Sequence, residues 1–320
     1  MKRILLIAAL AAAAALGWAE ERLKILLPPS TAALPFLRLA SQGPSAQGLP
    51  SGIRLSCETF LSHPQALALV LRGEADLLLT GTSQGWENYL AGGPLVLINT
   101  GVWAVSSLIG APGSSPLSSM AELAGKRLAL PFPGAPLDFQ TRYILAQSGL
   151  DPDRDLRIIY LGFGQSVPLL LKGQLDAAAL PEPLATDAVL SRGLSRLLDY
   201  GPAWAEAFGG DPRSPQVSLF ATRAYLSKNA VLVRRLMEAW ARASAEVAAD
   251  PQAAARDHAA ALELTPEVLA QAVAQTLFWV PSLEENRRRV TEYYEAVKVH
   301  LPGERAPLGR DFFLPAGAAP

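Results

Sequence analysis

The residues of this chain with the clearest chemical potential are Gly81-Thr82-Ser83-Gln84-Gly85. They match the G-x-S-x-G elbow, in which a serine on a sharp turn after a strand attacks a carbonyl carbon. A secreted serine hydrolase would use Ser83 as nucleophile, His258 or His300 as base, and Asp199 or Asp211 between them. Against this, the motif is short, no glycine-rich oxyanion loop precedes it, and both histidines fall in stretches of helical pattern. His63, His258 and His300 are scattered without metal-ligand spacing, so no metal site is expected. Gly162-Phe163-Gly164 lacks the third glycine of a dinucleotide loop and any phosphate lysine. The expectation is a protein with no catalytic residues and no cofactor.

Whatever Ser83 does, the elements around it must hold it in place, and the unit leading to it occurs twice, 100 residues apart. The first copy reads Leu67-Ala68-Leu69-Val70-Leu71-Arg72-Gly73-Glu74-Ala75-Asp76-Leu77-Leu78-Leu79-Thr80. The second reads Val167-Pro168-Leu169-Leu170-Leu171-Lys172-Gly173-Gln174-Leu175-Asp176-Ala177-Ala178-Ala179-Leu180. Each is an apolar helix stopped by a cation and a glycine, then a short strand. Gly73 and Gly173 suit the left-handed position just past a helix, and Arg72 and Lys172 suit its negative dipole end. Two such units imply two similar α/β lobes with a cleft between them.

The rest of the pattern agrees. A strand over 23–27 is broken by Pro28-Pro29, and Ser30 or Thr31 caps the next helix. A strand over 53–59 places Cys57, the only cysteine, on its apolar face, where a buried structural thiol is expected and no intramolecular disulfide can form. Two apolar stretches, 95–98 and 102–109, flank Asn99-Thr100-Gly101. Ser119 to Glu122 form a capping box, a strand over 127–130 enters Pro131-Phe132-Pro133-Gly134-Ala135, and Pro136 opens a helix. After a loop over 201–215 and a strand over 216–221, the remainder is mostly helical, with Thr265-Pro266 and a second capping box at Ser282 and Glu285 as helix starts. This late block is expected to pack on the first lobe. Alternating strands and helices imply parallel sheets.

The 320 residues, half of them hydrophobic, suffice for two domains with separate cores. Net charge is −1, and the 28 basic and 29 acidic residues form no stripe or block, which argues against a nucleic-acid partner. Lys2 and Arg3 precede an apolar run over 4–16 with small residues at Gly17 and Ala19. That is the pattern of a secretory signal peptide cut after Ala19, so 1–19 is read as leader and the protein as periplasmic or otherwise extracytoplasmic. No cysteine follows the run, so no lipid anchor is expected.

The stretch 114–188 resembles the substrate-binding proteins of bacterial ABC importers, in the group serving nitrate, alkyl sulfonates, taurine and thiamine-type pyrimidines. The resemblance is carried by Ser119-Met120-Ala121-Glu122-Leu123-Ala124-Gly125-Lys126-Arg127-Leu128-Ala129-Leu130 and by Ser148-Gly149-Leu150-Asp151-Pro152. It continues through Leu170-Leu171-Lys172-Gly173-Gln174-Leu175-Asp176-Ala177-Ala178 into Glu182-Pro183. It implies an α/β, type II periplasmic-binding fold of two lobes joined by two crossovers. Lobe 1 would comprise 20–103 and 205–320, and lobe 2 104–204. The resemblance further implies a small-molecule solute held between the lobes and an ABC permease as membrane partner, with a monomer expected. Relatives that are enzymes of the menaquinone or pyrimidine pathways act inside the cell, against which the leader speaks. A solute receptor for a membrane sensor fits the sequence as well as a transport protein does.

In open α/β sheets ligands lie beyond the carboxyl ends of the strands. The candidates there are Ser30, Thr31, Thr80, Gly81, Thr82, Ser83, Phe132, Gly134, Ala135, Asp138 and Glu182, with Trp103 as an aromatic surface for a planar ring. Each has a structural alternative: Thr80 to Ser83 as a helix-capping turn, Glu182 as a cap, and Trp103, Phe132 and Trp86 as packing. No lysine or arginine lies in these loops, Asp138 offsets a helix dipole, and Pro133 and Pro136 remove amide donors. The expected solute is therefore neutral or cationic with apolar or aromatic surface, such as a nitrogen heterocycle.

Overall fold

The computed structural model describes residues 21–43, 48–50, 52–300 and 305–315, so the leader read over 1–19 lies outside the described residues. Two sheets organise the chain. The first has strand order β11-β4-β10-β3-β1-β2, the second β7-β6-β8-β5-β9. In the first, β1 (Glu21–Leu27), β2 (Ile53–Thr59) and β3 (Leu77–Gly81) are parallel. With them lie β4 (Leu95–Ala104), β10 (Val217–Thr222) and the short β11 (Leu277–Phe278). In the second, β6 (Arg127–Leu130), β7 (Arg157–Tyr160) and β8 (Ala177–Pro181) are parallel, flanked by β5 (Ser106–Gly110) and β9 (Ser195–Asp199).

The sheets are mixed, which corrects the expectation of purely parallel ones. β10 pairs antiparallel with β3 and β4, and β5 does so with β8 and β9. The reason is positional. β5 and β10 are the strands on which the chain arrives from the other sheet. They therefore start at the edge where the parallel strands end and must run back. The crossings are short, at Val105 and over 208–216.

The helices that matter for the site follow parallel strands. They are α1 (Leu34–Gln42), α2 (His63–Leu71), α3 (Thr82–Leu90), α4 (Pro136–Gln147), α5 (Phe163–Leu171) and α6 (Leu184–Arg192). The expected starts hold at Ser62, which accepts from Gln65 N, and at Ser119, whose box closes through Glu122. At Ser282 only half the box forms, because Glu285 turns its carboxylate to Arg288 and Arg289.

Three other expectations change. Asn99-Thr100-Gly101 does not interrupt a strand but lies inside β4, where Asn99 and Thr100 are buried. A Cβ on Gly101 would sit 2.1 Å from the Trp240 ring, so this strand glycine admits the tryptophan. Residues 201–215 are not all loop, since α7 (Tyr200–Ala207) buries Tyr200 and Trp204. Each half has a buried cluster of its own, but a further cluster runs through both. Trp86 of the first half stacks on Phe139 of the second with ring centroids 5.8 Å apart, and Tyr293 packs on both Trp86 and Trp204. Tyr293 belongs to α11 (Leu283–Lys298), which packs on α4, while the preceding α10 packs on α6. α9 (Pro251–His258) and α10 (Pro266–Ala274) otherwise rest on α1 and α8 (Arg223–Ala249), so the late helices bridge both sheets and do not serve the first alone.

Candidate functional site

The residues just past the ends of all six parallel strands meet in one cleft of about 390 Å³. Pro28, Pro29 and Ser30 follow β1, Phe60 and Leu61 follow β2, and Gly81 ends β3. From the other sheet come Pro131 and Phe132 after β6, Gly162 and Phe163 after β7, and Pro181 to Leu184 at the end of β8. Val105, Ser106, Gln216 and Val217, at the starts of the two reversed strands, complete the wall. This is where an open α/β sheet offers helix starts and unpaired backbone to a ligand. A larger cavity of about 1350 Å³ opens between α3 and α4, and His63, Gln84 and Phe132 line both spaces. Most of its charged groups are paired with each other: Arg142 with Asp138 and Asp153, Arg154 with Asp151, and Arg305 with Glu87.

Of the expected site residues, Ser30, Gly81, Phe132, Ala135 and Glu182 line the smaller cleft. Thr80, Gly134 and Asp138 line the larger cavity. Thr31, Thr82, Ser83 and Trp103 line neither, and each is fully buried with a structural partner. Thr31 bonds the Thr276 hydroxyl at 2.9 Å, and Thr82 bonds Ser218 at 2.8 Å. Trp103 donates its indole N–H to the Trp279 carbonyl at 2.8 Å and packs on that ring, so it offers no face to a solute. Trp86 is likewise core.

Ser83 is no nucleophile in this geometry. Its hydroxyl donates to the Gly134 carbonyl at 3.0 Å, tying the two halves together. Asp199 is held by Arg196 and Ser107, Asp211 by Arg213 and Arg289, and His300 packs edge-on against Tyr143. The motif's glycines have packing reasons. A Cβ on Gly85 would lie 2.0 Å from Phe220, and one on Gly81 would lie 3.0 Å from Pro136 across the cleft.

Glu182 is fully buried, with one oxygen accepting from Arg196 Nη2 at 2.9 Å and the other from Thr186 N at 3.0 Å. Burial pushes its carboxyl above the ordinary range, and Arg196 pulls the other way. Each of its oxygens therefore already has a structural partner, one in the cap of α6 and one in Arg196. Asp138 is equally committed, to Gly134 N at 3.0 Å, Arg142 and Tyr160.

Phe60, His63, Gln84, Phe163 and Gln216 escaped the sequence reading. Applying the strand-end rule to β2 and β7 would have found Phe60, His63 and Phe163. His63 Nδ1 meets Thr80 Oγ1 at 2.8 Å, and burial lowers the imidazole pKa. Gln84 Oε1 accepts from Gly81 N at 3.1 Å and from the Thr80 hydroxyl. Gln165 caps Gly162 N at 3.0 Å in the same way at the start of α5. Cys57 is half-buried, its thiol directed at the Phe36 carbonyl 3.6 Å away and pushed up to about 12 by burial, as suits a structural thiol. Among the described residues no group of three or more His, Cys, Asp or Glu is placed to hold a metal ion, and no helix is long and apolar enough to cross a membrane.

The model of the NMT1-like family matches residues 91–263. No curated protein matches the sequence. Solved structures share the fold at low identity. The ligand-binding component of an ABC-type import system from Staphylococcus aureus, solved with zinc bound, superposes with a TM-score of 0.73 at 14% identity, covering 92% of this chain and 96% of that one. The periplasmic aliphatic sulphonate-binding protein SsuA of Escherichia coli gives 0.70 at 20% identity, covering 89% and 95%. The periplasmic nitrate-binding protein NrtA of Synechocystis PCC 6803 gives 0.67 at 15% identity, covering 88% and 82%.

Proposed function

The chain belongs to the NMT1-like family, and from that premise we propose that it is a non-catalytic solute-binding protein of an ABC importer. It takes a small neutral organic solute between its lobes, 20–103 with 205–320 and 104–204, outside the cytoplasm, and delivers it to a membrane permease. Loss of apolar surface to water and contacts made only when the lobes close would favour the closed form.

The observation that carries this reading is the chemistry of the strand-end cleft. No lysine or arginine lines it, and its one carboxylate, Glu182, is already bonded to Arg196 and Thr186. The amides that would grip an anion are largely taken: Gly81 N by Gln84, Gly162 N by Gln165, Gly134 N by Asp138 and Thr82 N by the Gln216 carbonyl. Pro136 and Pro183, at the starts of α4 and α6, have no N–H to give. Apart from Ser30, Ser106, Gln216 and His63, what remains is largely apolar. Phe132 is 41% exposed and Leu61 96% exposed at the mouth, with Phe60 and Phe163 within. Such groups favour a flat apolar or aromatic surface. With Glu182 already bonded to Arg196, the neutral half of the expectation is the better supported.

A thermal-shift screen over neutral nitrogen heterocycles, cationic amines, alkyl sulfonates and nitrate tests this. Neutral compounds should raise Tm selectively, and the best should compact the molecule in small-angle scattering. Selective stabilisation by a sulfonate or nitrate overturns the reading of a neutral solute.

A further inference from the structure

Building on the reading of the cleft as a solute site, we propose that His63 is its specificity-determining acceptor. Its Nε2 takes a hydrogen bond from the solute, which must therefore carry an N–H or O–H donor, such as the lactam, imide, amide or alcohol of a neutral molecule. The derivation starts from a backbone amide, which can only donate. Gly81 N–H meets Gln84 Oε1 at 3.1 Å, so that atom is the carbonyl oxygen of the side chain and not its nitrogen. The Thr80 hydroxyl contacts the same oxygen. An oxygen without a proton cannot donate, so the Thr80 proton lies on that contact. Thr80 Oγ1 then faces His63 Nδ1, 2.8 Å away, with lone pairs alone, and Nδ1 must supply the proton. A neutral imidazole carries one N–H, so Nε2 is left with a bare lone pair.

That lone pair is available. His63 Nε2 has no hydrogen-bond partner among the described residues, and it is not among the buried side-chain atoms left unpaired, so it is open to solvent at the junction where His63 lines both the cleft and the larger cavity. The ring is also held. Phe60 packs edge-on at 4.9 Å on one side while Thr80 anchors Nδ1, which gives Nε2 a set direction. Burial keeps the imidazole neutral by lowering its pKa. A site that aims a buried lone pair at its ligand rejects analogues lacking the donor, because the lone pair loses water and gains nothing. Both oxygens of Glu182, the cleft's one carboxylate, already have structural partners, whereas His63 Nε2 has none.

The test has two arms. Two-bond ¹H–¹⁵N correlations of the full chain report the ring nitrogens, with His63 identified by its loss in His63→Gln. The expected pattern is a protonated, pyrrole-type Nδ1 and a bare, pyridine-type Nε2. The reverse pattern overturns the proposal whatever the protein binds. In the second arm the best neutral compound from the thermal-shift screen is titrated beside its N- or O-methylated analogue. Methylation should cost wild type about tenfold or more in Kd, the equivalent of one net hydrogen bond. His63→Phe should bind the two alike. Equal binding of the pair by wild type overturns the proposal while leaving a neutral-solute protein standing. If no neutral compound binds, the function reading falls and the spectrum still decides the tautomer.

Discussion

The unit that ends at Gly81 and the unit that ends at Pro181 share a frame and differ in what the frame delivers. In both, the helix closes with the same two bonds: Gly73 N to Val70 O with Glu74 N to Leu69 O, and Gly173 N to Leu170 O with Gln174 N to Leu169 O. The glycines sit at φ +73° and +65°, the left-handed position of this helix stop. In both, an aspartate then clamps the first parallel strand of its sheet. Asp76 accepts from Lys24 N and Asp176 from Arg127 N, each at 2.7 Å. Beyond the strands the likeness ends. The first delivers a threonine that orders a histidine facing the cleft. The second delivers a buried acid already neutralised by Arg196. Two copies of one scaffold can therefore lead into one chemically available group and one purely structural group, at positions that do not correspond in the repeat.

The largest expected effect tests the structural half of that contrast. Glu182→Ala leaves Arg196, whose side chain is 22% exposed, without its buried carboxylate and strips the start of α6 of its cap. It should cost about 3–5 kcal/mol in chemical denaturation. Thr80→Val, at the strand end of the first unit, should cost only about 1–3 kcal/mol. Equal costs would break the distinction between the two strand ends.

The shared frame is tested next. Asp76→Ala and Asp176→Ala should each cost about 1–3 kcal/mol, because each leaves a strand amide without its acceptor. A silent substitution at either site would show that the resemblance of the two units is not energetic.

Acid titration separates a further detail. Asp176 is held down at about 2, below its ordinary 3.8, first by hydrogen bonding to the Arg127 guanidinium. A depressed carboxylate contributes stability above its unfolded pKa and loses it as pH falls through the folded one. Stability should therefore decline between about pH 4 and pH 2, and Asp176→Asn should flatten that limb of the curve.

The smallest effect concerns Ser83. Ser83→Ala removes one bond to the Gly134 carbonyl and should cost about 0.5–1.5 kcal/mol. A fluorophosphonate should leave wild type unlabelled. Stoichiometric adduct at Ser83 in a mass spectrum would reinstate the hydrolase and undo the structural account of the motif.

Much of the frame was readable because its signals are local. Glycine after a helix and a serine or threonine before one act through neighbours in sequence, and they appear where expected. The mixed sheets were not readable, since the direction of β5 and β10 follows from which sheet the chain has just left. Nor was the helix over 200–207, whose glycine and proline read as loop but whose Tyr200 and Trp204 are buried in the second half. At the site, the strand-end rule located the cleft, yet four of the residues it named turn inward, and Glu182 is bonded away.

By itself the sequence determined the two α/β units, their helix stops and caps, the family, and the edge of each sheet at which a ligand would sit. These rest on contacts within a few residues, which spacing alone records. Only the tertiary structure decided which polar groups at that edge remain unpaired. Arg196 reaches Glu182, Ser218 reaches Thr82, Trp279 reaches Trp103 and Thr276 reaches Thr31 from 14 to 245 positions away. A hydrogen bond cares about ångströms and not about sequence distance, and the group left over, His63 Nε2, is defined by what its distant neighbours have already taken.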